Sequence, residues 1–419
     1  MRQHLIVIPF HDWRKCVREG FRTRDAHLIE AFARGDAFEK VLVVSRPITR
    51  LELALHRQAR DSSGAVILCG SRWHVIHDPR GCYVFEYFDP GLVGQILKGR
   101  SWFYEAYGSR GMTQGLFEAV GRLEMDRPIA LNMNIRSDGL AMRLATRGIP
   151  LIFDAWDNWL RFPLSPTARR RVRRSYATLA RLAPLWFTNS EGNREAFERE
   201  FAVRSCIVVP NGVDAIRFRG PFSTPREVDR IPQPRAFFGG KITHLFDANL
   251  FNDVTHRLPW IQFLIAGQII DRSVWRRIKK VRNVHYLGDL HYGDYPAYVA
   301  ASDVCIAPYV TEDRSHGGDS IKLYEYVAAR RRTVATGGNG ARALSAFISI
   351  ANSSQEFAQA IMKCIQGDGA LPELGEAGFS WDERAGTMAG HMRPMLEGEA
   401  GSRGAPNSLI RTPVFGGST

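Results

Sequence analysis

The stretch DVCIAPYVTEDRSHGGDSIKLYEYVAARRRTVATG (303–337) decides the fold. It opens on a continuous apolar run that ends at Pro308-Tyr309. A polar loop with Gly317-Gly318 follows, then a helical stretch, then a second apolar run, TVAT. Continuous Val/Ile/Ala runs on either side of a helix mark parallel strands buried on both faces. Asp319 or Ser320 is placed to cap the helix, with Ile321 and Lys322 in its first turn and Glu325 on the same face three residues on. Glycines ahead of a helix start let backbone N–H groups approach an anion, and the helix dipole favours negative charge there. Lys322 adds a point charge suited to a diphosphate, and Glu325 can accept hydrogen bonds from ribose hydroxyls. The same spacing also fits an ordinary capped helix with an exposed Lys–Glu pair.

The pattern extends outward over the whole chain. LIVIPF (5–10), KVLVVS (40–45), AVILCG (65–70), CYVFEYF (82–88), IALNMNI (129–135), PLIFDAW (150–156), LWFTNS (185–190) and SCIVVP (205–210) are apolar runs of the first half. AFFGG (236–240), IQFLIAG (261–267), VHYLGDL (284–290) and FISIA (347–351) continue the series in the second. The expected class is α/β, with two doubly wound parallel sheets facing a cleft. RGPFSTPREVDRIPQPR (219–235), with four prolines, reads as the linker. The expected units are a first domain over 1–215, a linker over 216–235 and a second domain over 236–379. A helix over 380–397, opened by a capping box at Ser380 and Glu383, and a Gly/Ser/Pro-rich tail over 398–419 that reads as disordered complete the chain.

Composition narrows the class. Within 419 residues, 56 Lys and Arg against 43 Asp and Glu leave +13 at pH 7, an excess that favours a polyanionic or anionic-surface partner. No apolar run reaches the ~18 residues of a membrane span, and the N-terminus has no signal-peptide pattern. The six cysteines form no CxxC and no ligand cluster, so neither a zinc site nor a disulfide scaffold is expected, and the location reads as cytoplasmic. GxGxxG after the first strand, GxxxxGK[ST], HExxH and GxSxG are all missing, which removes the main support for a dehydrogenase, a P-loop ATPase, a zinc protease or a serine hydrolase. No nucleic-acid-binding pattern accompanies the positive charge.

Ligands of open α/β sheets meet the carboxyl ends of the strands. In FFGGKITHLFDANLFNDV (237–254), Gly240 and Lys241 form a second glycine turn with a cation. In VHYLGDLHYGDYPAYVAASDV (284–304), Gly288 ends a strand, and the backbone around Leu287–Asp289 can meet a base edge, or the segment is simply a strand end. In FTNSEGNREAFEREF (187–201), Ser190 caps a helix, and Asn211-Gly212 is a tight turn.

The ordered series TNSEGNREAF, VVPNGVDAIRF, GGKITHLFDANLF, VHYLGDL, ASDVCIAPY and DSIKLYEYVAARRRTVAT resembles the GT-B glycosyltransferases that use nucleotide sugars, over about 185–337. The resemblance implies two Rossmann-like domains with a nucleotide-sugar donor, a UDP-sugar above all, in the second. Glu325 would match the ribose-binding Glu, and Gly240, Lys241 and Lys322, together with Tyr309, Ser320 and Ile321, the donor region. Retaining relatives carry Glu-x7-Glu, whereas the position eight before Glu325 is Gly317, and Glu312 lies thirteen before it. SIKLYEY is similar to membrane-associated glucuronosyltransferases of exopolysaccharide assembly, which invert the anomeric centre. No metal and no cofactor is implied beyond the nucleotide sugar, which is a substrate. An inactive scaffold and a UDP-sugar epimerase are the alternatives on the same fold.

The first half would then take a glycan or lipid-linked acceptor. A carboxylate or His must accept the proton of the attacking hydroxyl. IPLIFDAWDNWLRFP (149–163) offers Asp154 and Asp157 at a strand end, and Asp157, between Trp156 and Trp159, is the expected base. GFRTRDAHLIEAF (20–32) opens a helix with Arg24, able to meet a phosphate, and His27, a rival base. SPTARRRVRRSYATLARLA (165–183) carries Arg169, Arg170, Arg171, Arg173 and Arg174, either a solvated helix face or a patch for an anionic membrane surface.

Overall fold

The computed structural model describes residues 3–55, 63–311, 318–338, 340–367 and 379–397. The expected tail over 398–419 and Gly317 lie outside these residues, as does Glu312.

The strands of the first lobe are β1 (His4–Ile8), β2 (Lys40–Val44), β3 (Ile48–Thr49), β4 (Ala65–Cys69), β5 (Trp73–His77), β6 (Tyr83–Asp89), β7 (Ile129–Asn132), β8 (Leu151–Asp154), β9 (Leu185–Thr188) and β10 (Ser205–Val208). Its helices are α1 (Trp13–Glu19), α2 (Arg24–Arg34), α3 (Arg50–Leu55), α4 (Gly94–Lys98), α5 (Trp102–Ala106), α6 (Arg110–Arg122), α7 (Asp138–Thr146), α8 (Pro166–Leu182) and α9 (Glu191–Phe201). The short α10 (Arg226–Asp229) lies between the lobes in sequence. The second lobe holds β11 (Arg235–Gly239), α11 (Ala248–Arg257), β12 (Gln262–Ala266), α12 (Arg272–Arg277), β13 (Val284–Tyr286), α13 (Tyr295–Ala300), β14 (Val304–Ala307), α14 (Ile321–Ala328), β15 (Thr333–Ala335), β16 (Ser349–Ile350) and α15 (Ser354–Gln366). The last helix is α16 (Trp381–Glu397).

The first sheet runs in the order β10-β9-β8-β7-β1-β2-β6-β5-β4, with β3 on β6; the second runs β13-β12-β11-β14-β15-β16 and is parallel throughout. The α/β expectation with two parallel sheets therefore holds. One edge departs from it. β5, the WHVIH stretch passed over in the sequence, pairs antiparallel with both β4 and β6. β4 is largely exposed, so its run AVILC is an edge strand and not a buried one.

Alternation along the central strands explains why their runs are continuous. Leu5 and Val7 enter one core layer, Ile6 and Ile8 the other; Val41 and Val43 are opposed to Leu42 and Val44 in the same way. The last helix crosses back. Trp381, Ala385, Met388 and Met392 belong to the first lobe's core, and α16 lies along α2. Its capping box is formed: the Ser380 hydroxyl accepts from the Glu383 N–H (3.1 Å), and Glu383 accepts from the Ser380 N–H (3.0 Å).

A buried polar chain joins the lobes. Arg24 Nε and Nη2 donate to Asp154 (3.0 and 3.4 Å), and Arg24 Nη1 donates to the Pro210 carbonyl and to Asn211 Oδ1 (both 3.2 Å). Asn211 in turn donates its backbone N–H to Asp319 Oδ2 (2.7 Å) and its amide to the Asp319 carbonyl (2.9 Å). Removing one member of a buried ion pair leaves the other charge uncompensated. Arg24→Met is expected to destabilise the protein by about 3–5 kcal/mol, and Arg24→Met/Asp154→Leu to recover most of that loss; urea-unfolding midpoints of the two variants check it.

Candidate active site

The parallel strands of both sheets end on the same cleft, and the second lobe's side of it is cationic. β11 ends at Gly239, and Gly240 begins the turn. The Gly240 N–H donates to the Ala266 carbonyl (2.7 Å), and Gly267, at φ +133°, would place a Cβ 2.1 Å from the Gly240 carbonyl oxygen. Only glycine allows that approach. A Cβ on Gly240 would itself fall 2.4 Å from Lys322 Cε, so the Lys322 side chain lies directly over the turn. Lys322 Nζ donates to the Tyr309 hydroxyl and sits 4.9 Å from the Tyr309 ring centre. Gly240, Tyr309 and Lys322, read from separate motifs, thus meet at one point.

The start of α14 corrects an expectation. Ser320 is its N-cap residue, but its side chain makes no capping bond. Asp319 is turned back to Asn211 and Tyr324, and the buried Ser320 Oγ has no partner among the described residues. Helices α11, α12 and α15 are capped by Asp247, Asp271 and Ser353. Among the described residues, α14 therefore presents its first N–H groups, beside Ile321 and Lys322, with no N-cap side chain bonded to them.

Lys241 is half-buried beside the first lobe. Burial lowers its pKa, and the cations Lys15 and Arg22 lower it further. Glu325 is buried below Lys322, where Oε1 accepts from the Tyr292 hydroxyl (2.7 Å). Burial raises its carboxyl to about 7, against the opposing pull of Tyr292, Lys322 and Arg217. The Asp289 side chain is bound to the first lobe. Arg22 holds its carboxylate at 2.7 and 3.2 Å, Gln268 adds a bond at 2.8 Å, and these contacts outweigh burial to lower its pKa. Of the neighbouring backbone, the Leu287 N–H donates to Ile265 and the Gly288 carbonyl accepts from Gly267.

The first lobe's side is aromatic and acidic. Asp157 is half-buried in the loop after β8, and its carbonyl accepts from the Tyr176 hydroxyl (3.0 Å). Its flanking tryptophans belong to a row of rings. Phe10 stacks on Trp159 (4.8 Å), Trp159 on Phe162 (4.6 Å), and Phe162 meets His244 of the second lobe edge-on (5.3 Å). Trp156 lies beside His11 (6.0 Å, 25°).

His11 is a residue that sequence reasoning missed. It follows β1, and its Nδ1 lies 3.0 and 3.1 Å from the two carboxylate oxygens of Asp25, which also accepts from the His11 N–H (2.8 Å). Burial alone would raise the Asp25 carboxyl, but His11 and Thr23 hold it well below the usual range. The signal was present: His11 directly follows the first apolar run, at the carboxyl end where open α/β sheets meet their ligands.

Three expected cleft residues are placed elsewhere. Arg24 and Asp154 are buried against each other, and burial raises the Asp154 carboxyl despite Arg24, so neither meets a phosphate. His27 is buried in the seam between the lobes, stacked on Trp381 (4.9 Å, 10°) and edge-on to Tyr292. Burial and Arg217 lower its pKa to about 3, which keeps the ring neutral. On α8, Arg169, Arg170, Arg173 and Arg174 are exposed, but Arg171 is not part of that face: it pairs with Asp138 at 2.9 Å twice and lies over the Tyr104 ring (3.9 Å).

Residues 243–367 match the family model Glycosyl transferases group 1. The chain has the GT-B fold, and the matched segment of its second lobe resembles a glycosyltransferase family. The fold is shared with solved structures at low identity. Trehalose 6-phosphate synthase of Burkholderia multivorans superposes with a TM-score of 0.61 at 10% identity, over 98% of this chain and 100% of that one. The trehalose-6-phosphate protein of E. coli bound with UDP-2-fluoro glucose gives 0.58 at 12%, over 95% and 98%. HepE of Anabaena in complex with UDP gives 0.55 at 14%, over 95% and 99%. No curated sequence matches the chain. In GT-B terms, Gly240, Tyr309, Lys322 and Glu325 lie in the second lobe, and His11, Asp25 and Asp157 in the first.

Glu325 carries a pH dependence of stability. Its folded pKa, about 7, lies above the ordinary 4.5, so between those values the folded state keeps a proton that the unfolded chain has released. Its contribution therefore falls as pH rises through that window. Glu325→Gln removes this loss, so the variant's urea midpoint is expected to gain on the wild type from pH 5 to pH 8; a constant difference would contradict the assignment.

Proposed function

We propose that the protein transfers a sugar from a UDP-sugar to a hydroxyl of a glycan or lipid-linked acceptor, as a step of cell-surface polysaccharide synthesis at the cytoplasmic face of a membrane. The observation that carries this reading is the meeting of Lys322, Tyr309 and the Gly240 turn at the uncapped start of α14. Backbone N–H groups, a helix dipole and an ammonium on one point suit a diphosphate. Support also comes from Anabaena HepE and the E. coli protein, whose structures hold UDP and UDP-2-fluoro glucose.

In this reading the glycosidic oxygen leaves with the diphosphate, and the negative charge that develops there is stabilised by Lys322, Lys241 and the first turn of α14. Asp157 takes the proton of the acceptor hydroxyl as its oxygen attacks the anomeric carbon. Trp156 and Trp159 flank Asp157 and offer rings against which a sugar can lie. Glu325 receives the ribose hydroxyls after exchanging its bond with Tyr292. The exposed arginines of α8 face an anionic leaflet. A hexosyl or a glucuronosyl group fits this scheme equally.

A second base is favoured by one observation: the His11 imidazole is held by Asp25 through Nδ1, which leaves Nε2 to accept a proton. Asp157→Asn and His11→Ala separate the two. The variant that removes the base is expected to lose roughly 10²–10⁴-fold in kcat with a small change in KM.

Donor binding is tested first. UDP at about 100 times its Kd is expected to stabilise the protein by about 2.7 kcal/mol, seen as a rise in melting temperature, and Lys322→Ala to remove most of that rise. No response to any nucleotide diphosphate would sink the donor site. Turnover of UDP-N-acetylglucosamine without an acceptor would make the protein an epimerase, and full biological activity of Asp157→Ala and Lys322→Ala would make it a scaffold.

A further inference from the structure

The segment after β6 leaves its apolar side chains in water. Leu92, Val93, Ile96 and Leu97 are 59%, 56%, 66% and 80% exposed, and no residue of α4 is buried. Val93, Ile96 and Leu97 follow helical spacing, so they share one face. The reason they point outward is local. α4 rests on the first lobe through Gly94, where an added Cβ would fall 3.0 Å from the indole nitrogen of the buried Trp102. Backbone meets the core and side chains do not. Single exposed apolar residues are common on soluble proteins, but a cluster of four on one short element marks an interaction site.

Two further observations identify the surface that would cover it. The first is charge. Residues 90–182 contain fifteen Lys and Arg against seven Asp and Glu, more than half of the chain's net +13. Arg100 is exposed beside the apolar cluster, and so are Arg169, Arg170, Arg174 and Arg181 on α8. α5 links the two elements, since its Tyr104 ring lies 3.9 Å under Arg171 of α8. The second is position. β6 runs parallel to β2, so the segment that follows it leaves the sheet at the same carboxyl edge as His11 and Asp157.

We propose that the 91–98 segment is a membrane-seating element: Leu92, Val93, Ile96 and Leu97 enter the headgroup and acyl boundary of an anionic bilayer, while Arg100 and the exposed Arg169, Arg170, Arg174 and Arg181 of α8 meet lipid phosphates. The inference rests on the lipid-linked acceptor reading for its purpose, because it holds the acceptor side of the cleft against the leaflet. Apolar insertion supplies contact that arginines alone do not, and the arginines supply preference for negative lipid.

The test is co-sedimentation of the full-length protein with vesicles of phosphatidylcholine alone or mixed in equal parts with phosphatidylglycerol. The wild type is expected to sediment with the mixed vesicles, less so as salt rises, and to stay in solution with phosphatidylcholine. Ile96→Glu/Leu97→Glu is expected to weaken binding to the mixed vesicles by roughly tenfold or more. Both side chains are exposed, so the variant should keep the wild-type melting temperature and its response to UDP. A loss of vesicle binding with the UDP response intact supports the seating element. The proposal is overturned if the wild type ignores anionic vesicles or the variant binds them as the wild type does. It is also overturned if gel filtration shows a wild-type dimer that the variant dissolves, since the occupant is then a second copy. A wild type that binds vesicles but ignores UDP would sink the donor reading and leave the seating element standing.

Discussion

The arrangement of the two lobes depends on one buried polar chain, Asp154–Arg24–Asn211–Asp319. It begins at the carboxyl end of β8, passes through the start of α2, crosses the turn after β10, and ends at the residue before the N-cap of α14. A buried guanidinium must have its donors satisfied, so these bonds hold Arg24 between the two lobes. Its cost is that Asp319 is drawn away from the helix it would otherwise cap. Among the described residues, the same bonds leave the α14 start without a capping side chain, an arrangement that suits the proposed diphosphate.

Around that lock the two faces of the cleft are chemically unlike. The second lobe presents glycine turns, Lys322 and Lys241; the first presents Asp157, the His11–Asp25 pair and a row of rings from Phe10 to Phe162. A second interlobe contact, Arg22 on Asp289 with Gln268 bridging Glu19 and Asp289, lies near the cationic cluster and consumes two carboxylates there. Positive charge at the glycine turn is therefore less compensated than the count of acidic residues suggests. Such a division suits the proposed transfer, in which cations meet the charge of the leaving group and a base faces them.

Charge at the scale of the chain follows the same asymmetry. More than half of the net +13 lies in residues 90–182, the part of the first lobe that holds α4 to α8 and the exposed apolar residues after β6. Arg171 shows how unevenly such a run is spent. Five arginines in six positions look alike in sequence, yet the one whose helical position faces α7 is committed to Asp138, while its neighbours remain exposed.

Much of the fold was legible in sequence because a strand buried on both faces has to be apolar at every position, and glycine and proline punctuate the turns between. Those local constraints determined the α/β class, the two sheets, the helix caps at Ser190 and Ser380, and the second-lobe residues Gly240, Tyr309, Lys322 and Glu325 as a candidate set. The sequence could not show which polar residues face each other across a gap of more than a hundred positions. Arg24, Asp154 and His27 look like cleft residues along the chain and are bound into the seam by partners far away. The His11–Asp25 pair and the α16 return to the first lobe exist only once β1, α2 and the C-terminal helix are packed. Local chemistry determined which elements form; the burial of charge, settled only when distant elements meet, decided which of their side chains remain free to act.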